Sequence, residues 1–217
     1  MKIKACLFDL DGVIVDTARY HFIAWKEMAD ELGFDFSEKE NELLKGVSRM
    51  RSLEILLELG KIYKTEAEKL QLAERKNQRY LEFVNQMTEA EILPGVTRFI
   101  DDLRSNGILI ALGSASKNSP LILERIHLRE KFDIIVDGNS VSNAKPDPEV
   151  FLKCAGLLKV EPKECLVFED AQAGIDAALN GGMRVIGVGS SENLSYADHI
   201  IPGFSQSDYA QLAQWYK

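Results

Sequence analysis

The chain predicts an α/β fold, a doubly wound parallel-sheet core interrupted by an inserted bundle of helices. Three observations carry that expectation. From about Ile92 onward, apolar runs of strand length alternate with amphipathic segments of helix length. Those runs are apolar at successive positions rather than at every second one, as in strands covered on both faces of a parallel sheet. Residues 17–88 contain no such run, only helical periodicity.

In chain order, an apolar run from Ile3 to Phe8 is the first strand. The insertion follows. Its first helix carries Phe22, Trp25, Ala29 and Leu32 at steps of three and four and closes at Gly33. A second carries Leu53, Leu56 and Leu57 and stops at Gly60. The longest opens on a T-x-x-E capping box, Thr65 to Glu68, and runs to about Met87. Pro94 and Gly95 mark re-entry into the core. "VTRFIDDLRSNG" is a helix with Val96, Phe99, Ile100 and Leu103 on one face, and "ILIAL" (108–112) is a strand. A helix from about Ser119, a strand at 132–136, a helix at 147–158 and a strand "CLVF" (165–168) come next. A helix over 171–181, a strand at 184–188, a short strand near 199–202 and a helix reaching Trp215 complete the core. The expected division is 1–16 with 89–217 as core and 17–88 as a helical cap.

With 217 residues, 46% hydrophobic and 28% charged, the chain has the composition of a globular protein with a substantial core. A formal net charge of −8 argues against nucleic acid or an anionic membrane as partner. Cys6, Cys154 and Cys165 lie in or beside apolar runs without CxxC spacing, and read as buried thiols of a reduced compartment. The apolar run near Met1 is too short for a signal peptide or a span, so a cytoplasmic protein is expected, and with no obvious hydrophobic patch a monomer is the default.

In a parallel sheet the ligand site lies beyond the carboxyl ends of the strands. Asp9 and Asp11 follow the first strand, and Ser114, Ser116 and Asn118 follow "ILIAL". Lys145 lies in the loop after 132–136, and Glu169 and Asp170 follow "CLVF". Each has a plainer reading. Asp170 suits the N-cap of the next helix, "SASKN" a turn before a helix, and Lys145 before Pro146 a surface lysine. Together they point to phosphoryl transfer at Mg²⁺. Asp9, Asp170 and Glu169 offer the hard oxygen donors this ion takes. An aspartate can attack phosphorus, and Asp11 can protonate a leaving oxygen or accept a hydroxyl proton. Ser114 and Lys145 suit the oxygens of the transferring group.

"DLDGV" (9–13), Ser114, "KP" (145–146) and "ED" (169–170) appear in the order of the four motifs of the haloacid dehalogenase superfamily, which the whole chain resembles. That resemblance implies a Rossmann-like core, Asp9 as nucleophile, Asp11 as general acid–base, Mg²⁺ as cofactor and a cap that closes over the site. "DTARYHFIAWK", "LKGVSR", "RKN", "SASKN" and "EDAQAGI" further resemble the β-phosphoglucomutase branch. This narrower likeness implies a sugar phosphate as substrate and β-glucose 1,6-bisphosphate as primer and intermediate. It places one metal ion on Asp9, the main-chain carbonyl of Asp11, Glu169 and Asp170. Arg49, Ser116, Lys117 and Asn118 would grip the non-transferring phosphate, and Gly46 and Val47 would touch the sugar. Thr17, His21 and Lys76 would link cap closure to the position of Asp11.

Plainer readings remain for the cap residues too. Lys76 can snorkel from an apolar stripe, His21 can be a satisfied helix residue, and Arg49 a solvated helix start. Two other functions stay open, a sugar-phosphate or phosphoglycolate-type phosphatase on the same core, and a non-catalytic phospho-acceptor module. The first would release phosphate steadily to water. The second has no use for a large helical insertion.

Overall fold

A computed structural model describes residues 3–216 except 191 and 193. Six parallel strands form one sheet: β1 (Ala5–Phe8), β2 (Leu109–Gly113), β3 (Ile134–Val136), β4 (Cys165–Glu169), β5 (Arg184–Val188) and β6 (His199–Ile201). Their order is β3-β2-β1-β4-β5-β6, the doubly wound arrangement. The chain winds outward from β1 to one edge, then returns to the other side of β1 at β4. A crevice opens between β1 and β4, where the connections depart in opposite directions.

Pleating sends neighbouring residues of a strand to opposite faces. Cys6 and Phe8 of β1 therefore join Leu166 and Phe168 of β4 in one core cluster, and Ala5 and Leu7 join Cys165 and Val167 in another. On the first face, α5 (Val96–Ser105) supplies Val96, Phe99, Ile100 and Leu103, the stripe expected from the sequence. α6 (Ser119–Arg125) and α9 (Tyr209–Trp215) cover the rest of that face. α7 (Glu149–Leu158) and α8 (Gln172–Asn180) cover the second. The Phe8 and Phe168 rings stack at 4.7 Å directly beneath the site. Truncating either buried ring to alanine should cost about 3–5 kcal/mol.

The regular elements of the inserted segment are helices: α1 (Ala18–Leu32), α2 (Glu38–Asn41), α3 (Arg49–Leu59) and α4 (Glu66–Val84), with one short 3-10 turn at Glu42–Leu44. Trp25, Met28 and Ala29 of α1 pack with Leu53, Leu56 and Leu57 of α3 and Leu72 and Ala73 of α4 in a cluster of their own. The two connecting segments lie side by side. Val15 bridges Ile92 antiparallel, Leu93 N–H donates to Ile14 O at 3.0 Å, and Asp16 N–H to Glu91 O at 3.0 Å.

Several boundaries differ from those expected. α2 has no counterpart in the sequence reading, because four residues are too few to display a helical period; its Ser37–Glu40 capping box was the available signal. α4 ends at Val84 rather than near Met87, and β3 keeps only Ile134–Val136 of the expected run. The three cysteines are buried and unpaired, and burial pushes the Cys154 and Cys165 thiols up to about 12. Among the described residues, no helix is long and apolar enough to cross a membrane.

Candidate active site

Parallel register brings the tips of β1 and β4 level, with Phe8 opposite Phe168. Asp9 N–H donates to Phe168 O at 3.0 Å, so Asp9 stands beside Glu169 and Asp170 at the mouth of the crevice. After Leu10 the chain reverses, and Gly12 N–H donates to Val15 O at 2.8 Å. Gly12 has φ +81°, and a Cβ there would lie 2.1 Å from Asp170 Oδ2. Only glycine allows both the turn and the carboxylate behind it.

Lys145 is 3% exposed, which overturns its reading as a surface lysine. Its ammonium donates to Asp9 Oδ1 at 2.7 Å and Glu169 Oε1 at 3.1 Å, and both carboxylates are buried. An ammonium has three hydrogens, so one remains beyond these two bonds. Burial works against the charge, but Asp9 and Glu169 outweigh it and hold the Lys145 pKa well above the ordinary lysine range. Burial, then mutual repulsion, pushes Glu169 well up. The same causes raise Asp170 to about 8, burial first and Asp9 second. Burial also raises Asp9, against the pull of Lys145.

Oxygens of Asp9, Glu169 and Asp170 lie within 4.8 Å of one another. Lys145 bonds to two of these three carboxyls, Asp9 and Glu169, and a bound cation would offset the crowding that raises all three. The donor set is oxygen only, which suits a hard divalent ion. Asp170 does not cap the next helix, since Ala171 takes that position and no side chain caps α8.

Asp11, two residues beyond Asp9, has different neighbours. Thr17 Oγ1 donates to Asp11 Oδ1, and His21 Nε2 lies 3.7 Å from the same oxygen. Tyr80 O–H reaches it at 3.5 Å. Burial pushes the Asp11 carboxyl up, but the bonds and charges of His21 and Thr17 prevail and hold it below the usual aspartate value. Behind His21, Lys76 Nζ lies 2.8 Å from Nδ1. Lys76 is 3% exposed, with its ammonium 4.5 Å from the Trp25 ring centroid and 4.9 Å from that of Tyr80. It does not snorkel to solvent. Burial, then the charge of Arg49, lowers Lys76 to about 7. Burial, then Lys76, lowers His21, so the imidazole accepts at Nδ1 and presents Nε2–H toward Asp11.

A cavity of about 450 Å³ lies between the cap helices and the strand tips. Of the residues singled out in the sequence, Thr17, Lys145 and Glu169 stand behind its wall, and all the others line it. Gly46 and Val47 enter from the cap, and Arg49 opens α3 with its guanidinium 3.9 Å from Glu74. On the core side, Ser114 Oγ accepts from Ser116 N–H at 3.1 Å and Ser116 Oγ from Asn118 N–H at 3.2 Å. The exposed Lys117 lies between them. Sequence reasoning gave Trp25 only as an apolar position of the first helix and did not single out Tyr80 or Asn77, because the polar contacts of all three depend on other segments.

A family model described as haloacid dehalogenase-like hydrolase matches residues 3–182. The chain belongs to the haloacid dehalogenase-like hydrolases. Among members of this family, the β-phosphoglucomutase of Bacillus subtilis is 43% identical over 200 residues, 91% of this chain and 88% of the relative. A β-phosphoglucomutase from Clostridium difficile, of known crystal structure, superposes with a TM-score of 0.94 at 43% identity, covering 99% of this chain and 97% of the other. A phosphorylated carbohydrates phosphatase of Thermotoga maritima is 32% identical, over 88% of this chain and 87% of its own.

Proposed function

We propose that this enzyme is a β-phosphoglucomutase, interconverting β-D-glucose 1-phosphate and D-glucose 6-phosphate through β-glucose 1,6-bisphosphate. One observation carries the reading. Asp11, the candidate acid–base, is held through His21 by Lys76, a buried cation on a cap helix, and faces the same cavity as Asp9. A phosphatase that accepts water has no need to make its acid–base depend on cap closure; a mutase, which must wait for sugar, does.

In this mechanism an Asp9 carboxylate oxygen attacks a phosphorus of the bisphosphate. The bond from phosphorus to the sugar oxygen breaks, and Asp11 gives that oxygen its proton. The monophosphate leaves, and β-glucose 1-phosphate enters with its 6-hydroxyl toward the aspartyl phosphate. Asp11 takes the hydroxyl proton as the new P–O bond forms and the bond to Asp9 breaks. Ser114 and the remaining hydrogen of Lys145 bind oxygens of the moving phosphoryl group. Arg49, Ser116, Lys117 and Asn118 hold the phosphate that stays, while Gly46 and Val47 border the sugar. Thr17 and His21 orient Asp11. Asp9, Asp170, the Asp11 carbonyl and Glu169 would hold one Mg²⁺, which would supply neutralising charge to the phosphoryl oxygens. Residues 17–88 act as the cap on a core of 1–16 and 89–217, in a monomer that works in the cytoplasm.

The test is a coupled assay for glucose 6-phosphate from β- and α-glucose 1-phosphate, with Mg²⁺ and a trace of bisphosphate, while free phosphate is followed in parallel. Product from the β anomer without phosphate release is expected. Phosphate release without isomerisation would instead make the chain a sugar-phosphate phosphatase.

A further inference from the structure

Successive positions on α4 carry two buried polar side chains aimed at different targets. Lys76 turns to His21, as described above. Asn77, 8% exposed, accepts at Oδ1 from Asn118 Nδ2 at 3.0 Å. Consecutive residues of an α-helix point about 100° apart, so one rigid helix addresses both His21 and Asn118.

Asn118 closes a loop otherwise tied to the core. Ser119 Oγ donates to Ser116 O at 2.8 Å, and Asn139 Nδ2 donates to Lys117 O at 3.1 Å. The Asn118 carboxamide itself bonds across to the cap. A carboxamide has a donor end and an acceptor end, and the wrong end facing a phosphate repels it. In this pairing the carbonyl oxygen of Asn77 takes the NH₂ end of Asn118. One N–H is then used, and one is left for an oxyanion.

We infer that Asn77 is a positioning residue for the second phosphate of the substrate. It orients the Asn118 amide from the cap, so that the anion grip is complete only when cap and core meet. This rests on the reading of Asn118 as a ligand of the non-transferring phosphate. Lys76 and Asn77 thus make acid–base placement and phosphate grip two results of the same helix docking.

The inference is tested by a double-mutant cycle on β-glucose 1,6-bisphosphate binding, measured calorimetrically in an Asp9→Asn background that cannot accept phosphate. Asn77→Leu keeps the size and removes the acceptor. It should weaken binding about fivefold to tenfold, the effect of one lost hydrogen bond to an oriented group. Added to Asn118→Ala it should weaken binding no further, because the partner it positions is gone. In the otherwise native chain, Asn77→Leu should raise the KM for bisphosphate and spare kcat at saturation. Additive effects in the cycle, an unchanged dissociation constant, or a loss in kcat with KM unchanged would each overturn the inference, as would absence of bisphosphate binding to the Asp9→Asn chain. Urea midpoints matching the parent chain exclude unfolding as the cause; if Asn77→Leu fails to fold, Asn77→Ser replaces it in the same cycle. The products of the native chain, isomer or free phosphate, judge the mutase reading separately.

Discussion

The hydroxyl of Thr17 donates to Asp11 and accepts no N–H of the helix that Thr17 opens. A threonine at the N-cap ordinarily satisfies one of the free N–H groups of the first turn. Here α1 begins without a side-chain cap, while Thr65 at the start of α4 forms a full capping box with Glu68. One residue type at the same helix position serves the site in one case and the helix in the other.

The contrast separates two variants. Thr17→Val should lower kcat about tenfold through a misplaced acid–base. With a donor lost, Asp11 returns toward the ordinary aspartate value, and the acidic limb of the pH–rate profile moves to higher pH. Thr65→Ala should cost about 1 kcal/mol of stability and leave the pH profile where it was. Steady-state kinetics and urea unfolding of both variants check the pair.

Lys145→Met should be the most damaging change near the strand tips. It leaves Asp9 and Glu169 buried without their cation, at a cost of about 3–5 kcal/mol in the presence of chelator. Mg²⁺ should narrow the gap between variant and parent by supplying positive charge to the same carboxylates. An equal gap with and without Mg²⁺ would count against the metal assignment.

Lys76 gives a pH signature. Its folded pKa of about 7 lies below the 10.5 of an unfolded lysine, so between those values the unfolded chain holds more protons. Stability contributed at this position is therefore lowest below pH 7 and rises with pH up to about 10.5. Compared with Lys76→Met, the native chain should gain up to about 1.4 kcal/mol per pH unit across that window. Parallel slopes in urea unfolding would show that burial does not depress this lysine.

Gly46→Val should separate closure from folding. Gly46 has φ +72°, and its Cβ would fall 2.9 Å from Ala171 Cβ across the gap between cap and core. The cap loop should be held off the strand tips, lowering kcat at least about tenfold while the unfolding free energy changes by no more than about 1–2 kcal/mol. Equal activity with the substitution in place would mean the closed contact is not needed for turnover.

Sequence alone determined the class of the fold and which chemistry-bearing residues gather at the strand tips. Strands apolar on both faces, as in "ILIAL" and "CLVF", state that both sides of a sheet are covered, and the helical stripe of Val96, Phe99, Ile100 and Leu103 states what covers one of them. Asp9, Asp11, Ser114, Lys145, Glu169 and Asp170 were legible because in a parallel sheet each loop after a strand must emerge at the same edge, whatever the order of the strands. The order itself came from the tertiary structure. With β4 beside β1 rather than at an edge, Asp9 and Glu169 can share Lys145, a contact between residues far apart in the chain. The same holds for Lys76 on His21, Tyr80 on Asp11 and Asn77 on Asn118. A polar side chain on a helix shows its period in the sequence but not its partner, because the partner is set by how separate segments dock and not by any spacing along the chain.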